Sequence, residues 1–351
     1  MNIKPDNPTD TIEPKADEVS PEKVPSNIMI GLDVGSTTVK AVVMDPDTDE
    51  ILWKDYKRHE TRQPEMVYQF LQDIVAAFPL PKENLRIFIT GSGGNMLREF
   101  IGAKFVQEVN AVSLAVEKLY PEAGSVIELG GQDAKIIIWF TDQETGNKRK
   151  VPSMNDKCAG GTGAVIDKIN SKLQLTGEQL QQLDYFDVKL HPVAGKCGVF
   201  AETDINGLQK QGVPAEQLMA SLFESIIQQN LSVLTRGNTL RPTVLLLGGP
   251  NCYIPAMRDC WKHNIPKIWA ERNTPLPEGV PPEDLIIVPE NAQYYAAIGS
   301  VLYGKQEDAH IGVFKGTEEL EAFMEVGRTQ MREQSGDVDL AKTPEELEAF
   351  K

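Results

Sequence analysis

Two cysteines and three glycine turns are the places where this chain could do chemistry. Cys158 stands in "NDKCAGGTGAVIDKI", directly before a run of small residues and at the start of an apolar pattern of helical period. The first amides of a helix are unpaired and carry the positive end of its dipole, which favours a thiolate. The small residues of "AGGTG" let backbone come close to whatever the sulfur binds. Cys197 follows in "GKCGVFAETD". The first glycine turn is "IGLDVGSTTVK", where Asp33 ends an apolar strand and Gly35, Ser36, Thr37, Thr38 and Lys40 follow. Gly35 lets backbone approach a phosphate, the next amides and hydroxyls can donate to its oxygens, and Asp33 can hold Mg²⁺ through water. "IELGGQDAK" offers the same parts in Glu128, Gly130, Gly131, Gln132 and Asp133. "LLLGGPN", with Gly248, Gly249 and Asn251, suits the flat approach of an adenosine. One acid-x-Gly turn alone can be no more than a hairpin. Three in this order read as a nucleotide site.

The elements around these turns repeat. Ile28–Asp45 reads as strand, tight turn, strand, and "ILWKDYKRHE" as a third strand. "PEMVYQFLQDIVAAF" has helical period with a Pro suited to its first turn, "LRIFITGSGG" is a strand, and "VQEVNAVSLAVEKLYP" is a helix stopped by Pro121. Gly124–Phe140 is again strand, glycine turn, strand. Helices are predicted at about 160–174 and 214–236, a strand at Thr243–Gly249, and a final apolar helix in "NAQYYAAIGSVLYG". The repetition predicts a duplicated α/β domain. No G-x-x-x-x-G-K-[ST] occurs, and no G-x-G-x-x-G follows a strand.

The 351 residues are 41% hydrophobic and 25% charged, an ordinary globular composition with room for two domains. No apolar run is long enough to span a bilayer. The Pro-rich, charged residues 1–27 predict a disordered arm and no signal peptide. Four Cys are too few for a disulfide scaffold, which points to a reducing cytoplasm. Of the net charge of −16, residues 1–27 carry −3 and residues 306–351 carry −7, leaving −6 on the core. A negative core without a basic stripe argues against nucleic acid and anionic membrane. His59, His191, His263 and His310 lack metal-ligand spacing and read as lone exposed side chains. Cys252 and Cys260 read as small buried hydrophobes.

The order D-x-G-S/T-T, acid-x-G-G-Q-D, G-G resembles the actin-like ATPases, which include sugar kinases and heat-shock chaperones. That resemblance covers roughly 28–304 and implies two ribonuclease H-like domains clamping ATP·Mg²⁺. Domain I would be 28–116 plus 292–304, domain II 117–291, and 305–351 an acidic helical tail or linker. The usual second-turn Asp is here Glu128. Within that superfamily, "NDKCAGGTG" with "GKCGVFAETD" resembles the BadF/BadG/BcrA/BcrD branch. It holds the activators (component A) of 2-hydroxyacyl-CoA dehydratases and the ATPase subunits of benzoyl-CoA reductases. The resemblance implies Cys158 and Cys197 as ligands of a [4Fe–4S] cluster shared by a homodimer or pseudo-dimer. It also implies Asp33 on Mg²⁺, and Glu128 and Asp133 positioning metal and attacking water. Reduced ferredoxin or flavodoxin would be the donor and a dehydratase or reductase iron–sulfur protein the acceptor. Zinc on the same four thiols, a small-molecule kinase, and a non-catalytic module of a longer polypeptide stay open. The last of these is suggested by "TPEELEAFK", which stops one turn into a helix.

Overall fold

The computed structural model describes residues 25–141, 148–155, 160–194 and 198–327. The positions expected as cluster ligands, Cys158 and Cys197, lie outside the described residues, as does most of the expected N-terminal arm.

The first lobe begins with β1 (Ile28–Val34), β2 (Thr38–Met44) and β3 (Ile51–Arg58), an antiparallel meander. Then come α1 (Gln63–Ala77), β4 (Leu85–Thr90), α2 (Gly94–Ile101), β5 (Lys104–Phe105) and α3 (Glu108–Leu119). β4 runs parallel to β1, so the sheet order is β3-β2-β1-β4-β5. Position in the sheet explains the sequence texture. The central β1, "IMIGLDV", is buried throughout, as a strand covered on both faces must be. The edge strand β3 alternates, burying Trp53 and Asp55 while 54, 56 and 58 stay partly open.

The second lobe repeats the plan. β6 (Ser125–Leu129), β7 (Ala134–Thr141) and β8 (Lys148–Asn155) form another antiparallel meander. Helices α4 (Gly163–Leu173), α5 (Gly177–Gln182), α6 (Gly198–Lys210) and α7 (Ala215–Leu234) follow. Next are β9 (Val244–Leu247), α8 (Gly249–Tyr253), α9 (Pro255–Glu271) and β10 (Ile286–Ile287). β9 is parallel to β6, and the order β10-β9-β6-β7-β8 is that of the first sheet. The duplication read from the strand-turn-strand repeat is therefore a repeat of whole sheets.

Three apolar clusters stack these parts. One lies between the first sheet and α1 and α2. A second holds α3 and α10 (Tyr295–Gly304) between the two sheets, with Met29, Val42 and Phe88 facing Val126, Ile137 and Leu247. The third packs α4 to α9 on the far face of the second sheet. The predicted last helix thus returns to the first lobe, where Ser300 Oγ donates to the Phe88 carbonyl at 3.1 Å. It starts at Tyr295, and residues 291–294 form a turn before it. Beyond it, Phe314, Phe323 and Leu320 of α11 (Glu318–Ala322) are buried in the first-lobe core, so this part of the acidic tail packs as structure. Among the described residues no helix is long and apolar enough to cross a membrane.

Candidate nucleotide site

The three glycine turns meet in one cleft between the lobes. It encloses about 690 Å³, open solvent included. Its first wall carries Thr37, Thr38, Lys40, Tyr56 and Arg58. Its second carries Glu128, Gly130, Gly131, Gly163, Ile166, Asp167, Gly248, Gly249, Pro250, Tyr253 and Ile254. A deeper end is lined by Asp33, Gly35, Ser36, Glu108, Asp133 and Lys135.

Backbone hydrogen bonds set the turns. The Gly35 amide donates to the Thr38 carbonyl at 3.0 Å, and the Gly130 amide to the Asp133 carbonyl at 2.9 Å. The two turns face each other so closely that a Cβ on Gly131 would stand 2.0 Å from Thr37 Oγ1. A side chain there would fill the phosphate cradle. The third turn needs glycine for its backbone: Gly248 has φ +87°, and a Cβ on it would meet the Leu129 carbonyl at 2.1 Å.

His59 departs from the sequence reading of a lone exposed histidine. It is buried, 4% exposed, its Nε2 lies 3.1 Å from the Gly35 carbonyl, and its Nδ1 accepts the Thr61 amide. Burial holds the imidazole below its usual pKa, so the neutral ring donates from Nε2 and braces the first turn beside Gln63 Nε2, which donates to the same carbonyl. The histidine was missed because it meets Gly35 only once β3 pairs with β2 and brings its end beside the first turn.

The deep end holds four carboxylates and two lysines. Lys40 Nζ pairs with Asp33 at 2.7 Å. Lys135 Nζ, 4% exposed, lies 2.7 Å from Asp133, 2.8 Å from Glu108 and 3.3 Å from Glu128. Burial opposes both ammonium charges, and the carboxylates overcome it, so both lysines titrate above their usual range. Burial also opposes the charge on Asp133, yet Lys135 holds that carboxyl below its usual range. Glu128 is raised, because burial and neighbouring acids outweigh Lys135. Its Oε2 is buried and makes no aligned hydrogen bond, leaving an acceptor at the phosphate end for a water or a metal-bound water. Among the described residues no group of three or more acids, cysteines or histidines is gathered to hold a metal by protein alone. Such a donor set fits Mg²⁺ carried largely by phosphate oxygens and water. Glu108 and Lys135 were not foreseen: Glu108 reads as an ordinary first-turn acid of α3, and Lys135 as a strand residue.

Burial pushes the Glu108 carboxyl up to about 7, with Lys135 opposing and Asp133 and Asp33 adding to the rise. A folded-state pKa above the usual 4.5 gives stability that is complete below pH 4.5 and lost as pH rises through 7. Glu108→Gln, which has no proton to release, should flatten that fall in urea melts taken from pH 4.5 to 8.

Two expected contacts are placed elsewhere. Asn251 is fully buried beneath the cleft; its amide donates to the Leu247 carbonyl, and its Oδ1 accepts Trp261 Nε1–H at 2.9 Å. Gln132 is exposed at the turn and does not line the cleft. Cys260 is buried as expected, its thiol facing Glu224 at 3.2 Å. Cys252 is half-buried against Gln293, and burial pushes its thiol up to about 12.

The second turn is bonded directly to α4. The Gly163 amide donates to the Gly130 carbonyl at 3.0 Å and the Ala164 amide to the Gly131 carbonyl at 2.7 Å. α4 is joined in turn to α6. A Cβ on Gly198 would touch Val165, Glu202 pairs with Lys168 and Lys172, and Lys172 also donates to Asn206. Contacts that advance together along both helices make them parallel, with both N-termini at one end.

Comparison with known proteins agrees with this geometry. The family described as BadF/BadG/BcrA/BcrD ATPase matches residues 30–278. The (R)-2-hydroxyglutaryl-CoA dehydratase activating ATPase of Acidaminococcus fermentans is 26% identical over 80% of this chain and 98% of its own. The crystal structure of component A of that dehydratase superposes with a TM-score of 0.64 at 24% identity, covering 80% of this chain and 98% of that one. The activator of the 2-hydroxyisocaproyl-CoA dehydratase from Clostridium difficile, solved with bound ADPNP, superposes with a TM-score of 0.60 at 23% identity, covering 85% and 98%.

Proposed function

This chain belongs to the BadF/BadG/BcrA/BcrD ATPase family, and from that premise we propose that it is an ATP-driven activator passing a low-potential electron to an acyl-CoA dehydratase or reductase. Two copies, or this chain and a similar unit, would each contribute Cys158 and Cys197, completing the four thiolates that a [4Fe–4S] cluster takes. The cluster, when bound, supplies the electron. Reduced ferredoxin or flavodoxin would be its source, and an iron–sulfur protein of the dehydratase or reductase its destination.

The observation that carries this reading is the connection through α4. The first amides of α4 hold the phosphate turn, and its side chains hold α6. Cys158 precedes α4 by five residues and Cys197 directly precedes α6. A shift of the Gly130–Gly131 turn toward a γ-phosphate therefore moves α4, and with it the end of the helix pair from which both cysteine segments leave.

In the cleft, Lys40 and the Ser36–Thr38 turn donate to phosphate oxygens. Asp33, paired with Lys40 at 2.7 Å, would hold Mg²⁺ through water, and the ion when bound would neutralise phosphate charge. Glu128 and Asp133 orient the attacking water, with Lys135 fixing their carboxylates. Positioning and charge do this work, as phosphoryl transfer requires.

An oxygen-free preparation tests the reading. It should carry about two irons and two sulfides per chain, as a four-iron cube between two chains demands. It should also absorb as an iron–sulfur protein and hydrolyse ATP with and without reductant. Colourless, iron-poor or zinc-loaded material that still hydrolyses ATP would remove the redox role and leave the ATPase.

A further inference from the structure

The edge strand β3 faces the second lobe with every other side chain. Lys54 Nζ donates to Asn291 Oδ1 at 3.2 Å, and the Tyr56 ring meets Tyr253 edge-on with centroids 5.7 Å apart. Arg58 grips Asp167 on α4 with both terminal nitrogens: Nη1 lies 3.0 Å from Oδ2, and Nη2 lies 3.2 Å from Oδ1 and 3.1 Å from Oδ2. This fork geometry is the strongest form of an Arg–carboxylate pair. Arg58 and Asp167 stand on opposite walls of the cleft, and both line it. Their side chains are 21% and 32% exposed, so water reaches the pair and it can open.

We propose that Arg58 and Asp167 are a positioning pair that latches the cleft shut and sets how long nucleotide stays bound. The proposal rests on the cleft being the ATP site; it does not depend on the cluster. A nucleotide held between the two walls leaves when they part, and β3 and α4 cannot part until this pair breaks. Asp167 lies one helical turn beyond Gly163, whose amide holds the Gly130 carbonyl. The latch therefore also steadies the helix that carries the phosphate turn. Tyr56 beside Tyr253, and Lys54 on Asn291, extend the same seam.

The test is the release rate of a fluorescent methylanthraniloyl-ADP from the full chain, followed by stopped flow. Arg58→Gln and Asp167→Asn should each release it roughly threefold to tenfold faster, the scale of losing one partly exposed, bidentate pair. The exchanged double variant, Arg58→Asp with Asp167→Arg, should return the rate to within about twofold of the parent, because the pair is remade with its ends reversed. A residue touching the nucleotide directly would gain nothing from the exchange. Unchanged single variants, or an exchange as fast as the singles, overturn the latch while leaving the ATP site intact. A parent chain that binds no nucleotide overturns both. Melting curves confirm folding, and Arg58→Lys, which keeps the charge but loses the fork, should fall between parent and Arg58→Gln.

Discussion

Cys158→Ala should yield a colourless, iron-free protein that binds ATP with an affinity within about twofold of the parent. One missing thiolate in each of two copies leaves two of the four that a cube requires, so the loss of bound iron should be nearly complete. The nucleotide cleft should be untouched, because its walls are built from the turns and from α4 and α8, and Cys158 lies upstream of Gly163, the first residue of α4. Cys197→Ala should behave alike, whereas Cys260→Ala should keep its iron and lose stability instead, since that thiol, on α9, is packed against Glu224 of α7. Iron and sulfide analysis beside an ATP titration distinguishes these cases. Full iron in Cys158→Ala would end the assignment of that thiol.

Lys135→Met should cost about 3–5 kcal/mol of stability near pH 8, the usual penalty for removing one partner of a buried charge group. It leaves Glu108, Glu128 and Asp133 facing one another without their shared cation. The penalty should shrink as pH falls. Without Lys135 these carboxyls bind protons more tightly folded than unfolded, so stability rises as pH drops through their raised folded-state values. ATP hydrolysis should fall by roughly a hundredfold to a thousandfold, the scale for losing a preorganised charge at a reacting centre. Urea melts at pH 5 and pH 8 read the first effect and steady-state hydrolysis the second. An equal loss of stability at both pH values would show that Lys135 packs without governing the acids. Mutating Asp33 would not report the same thing, because its partner is Lys40 on the neighbouring strand.

The architecture was legible because it is written in local terms. Apolar strands that end in acid-x-Gly, and helices of 3.6 period bounded by Pro and Gly, specify hairpins and helices from a few neighbouring residues. Two such units in one chain imply the duplication, and the turns with their hydroxyls imply phosphate. Gly131 and Gly248 are required by close approach and by positive φ, which turn sequences signal directly. The thiols 158 and 197 carried the narrower reading through their motifs, and their own surroundings lie outside the described residues.

What tertiary structure alone decided are the side chains whose meaning depends on distant partners. Glu108 looks like any first-turn acid until α3 is held between the two sheets and delivers it to Lys135. His59 becomes a brace for Gly35 once β3 folds back. Asn251 sits in the right turn, yet its amide serves buried carbonyls, because helix α8 turns it away from the cleft. Arg58 and Asp167 are 109 residues apart and each reads as a solvated charge. Sequence periodicity reports which face of its own element a residue occupies. Which other element covers that face depends on how the two lobes close over the cleft, a long-range packing outcome that no local pattern encodes.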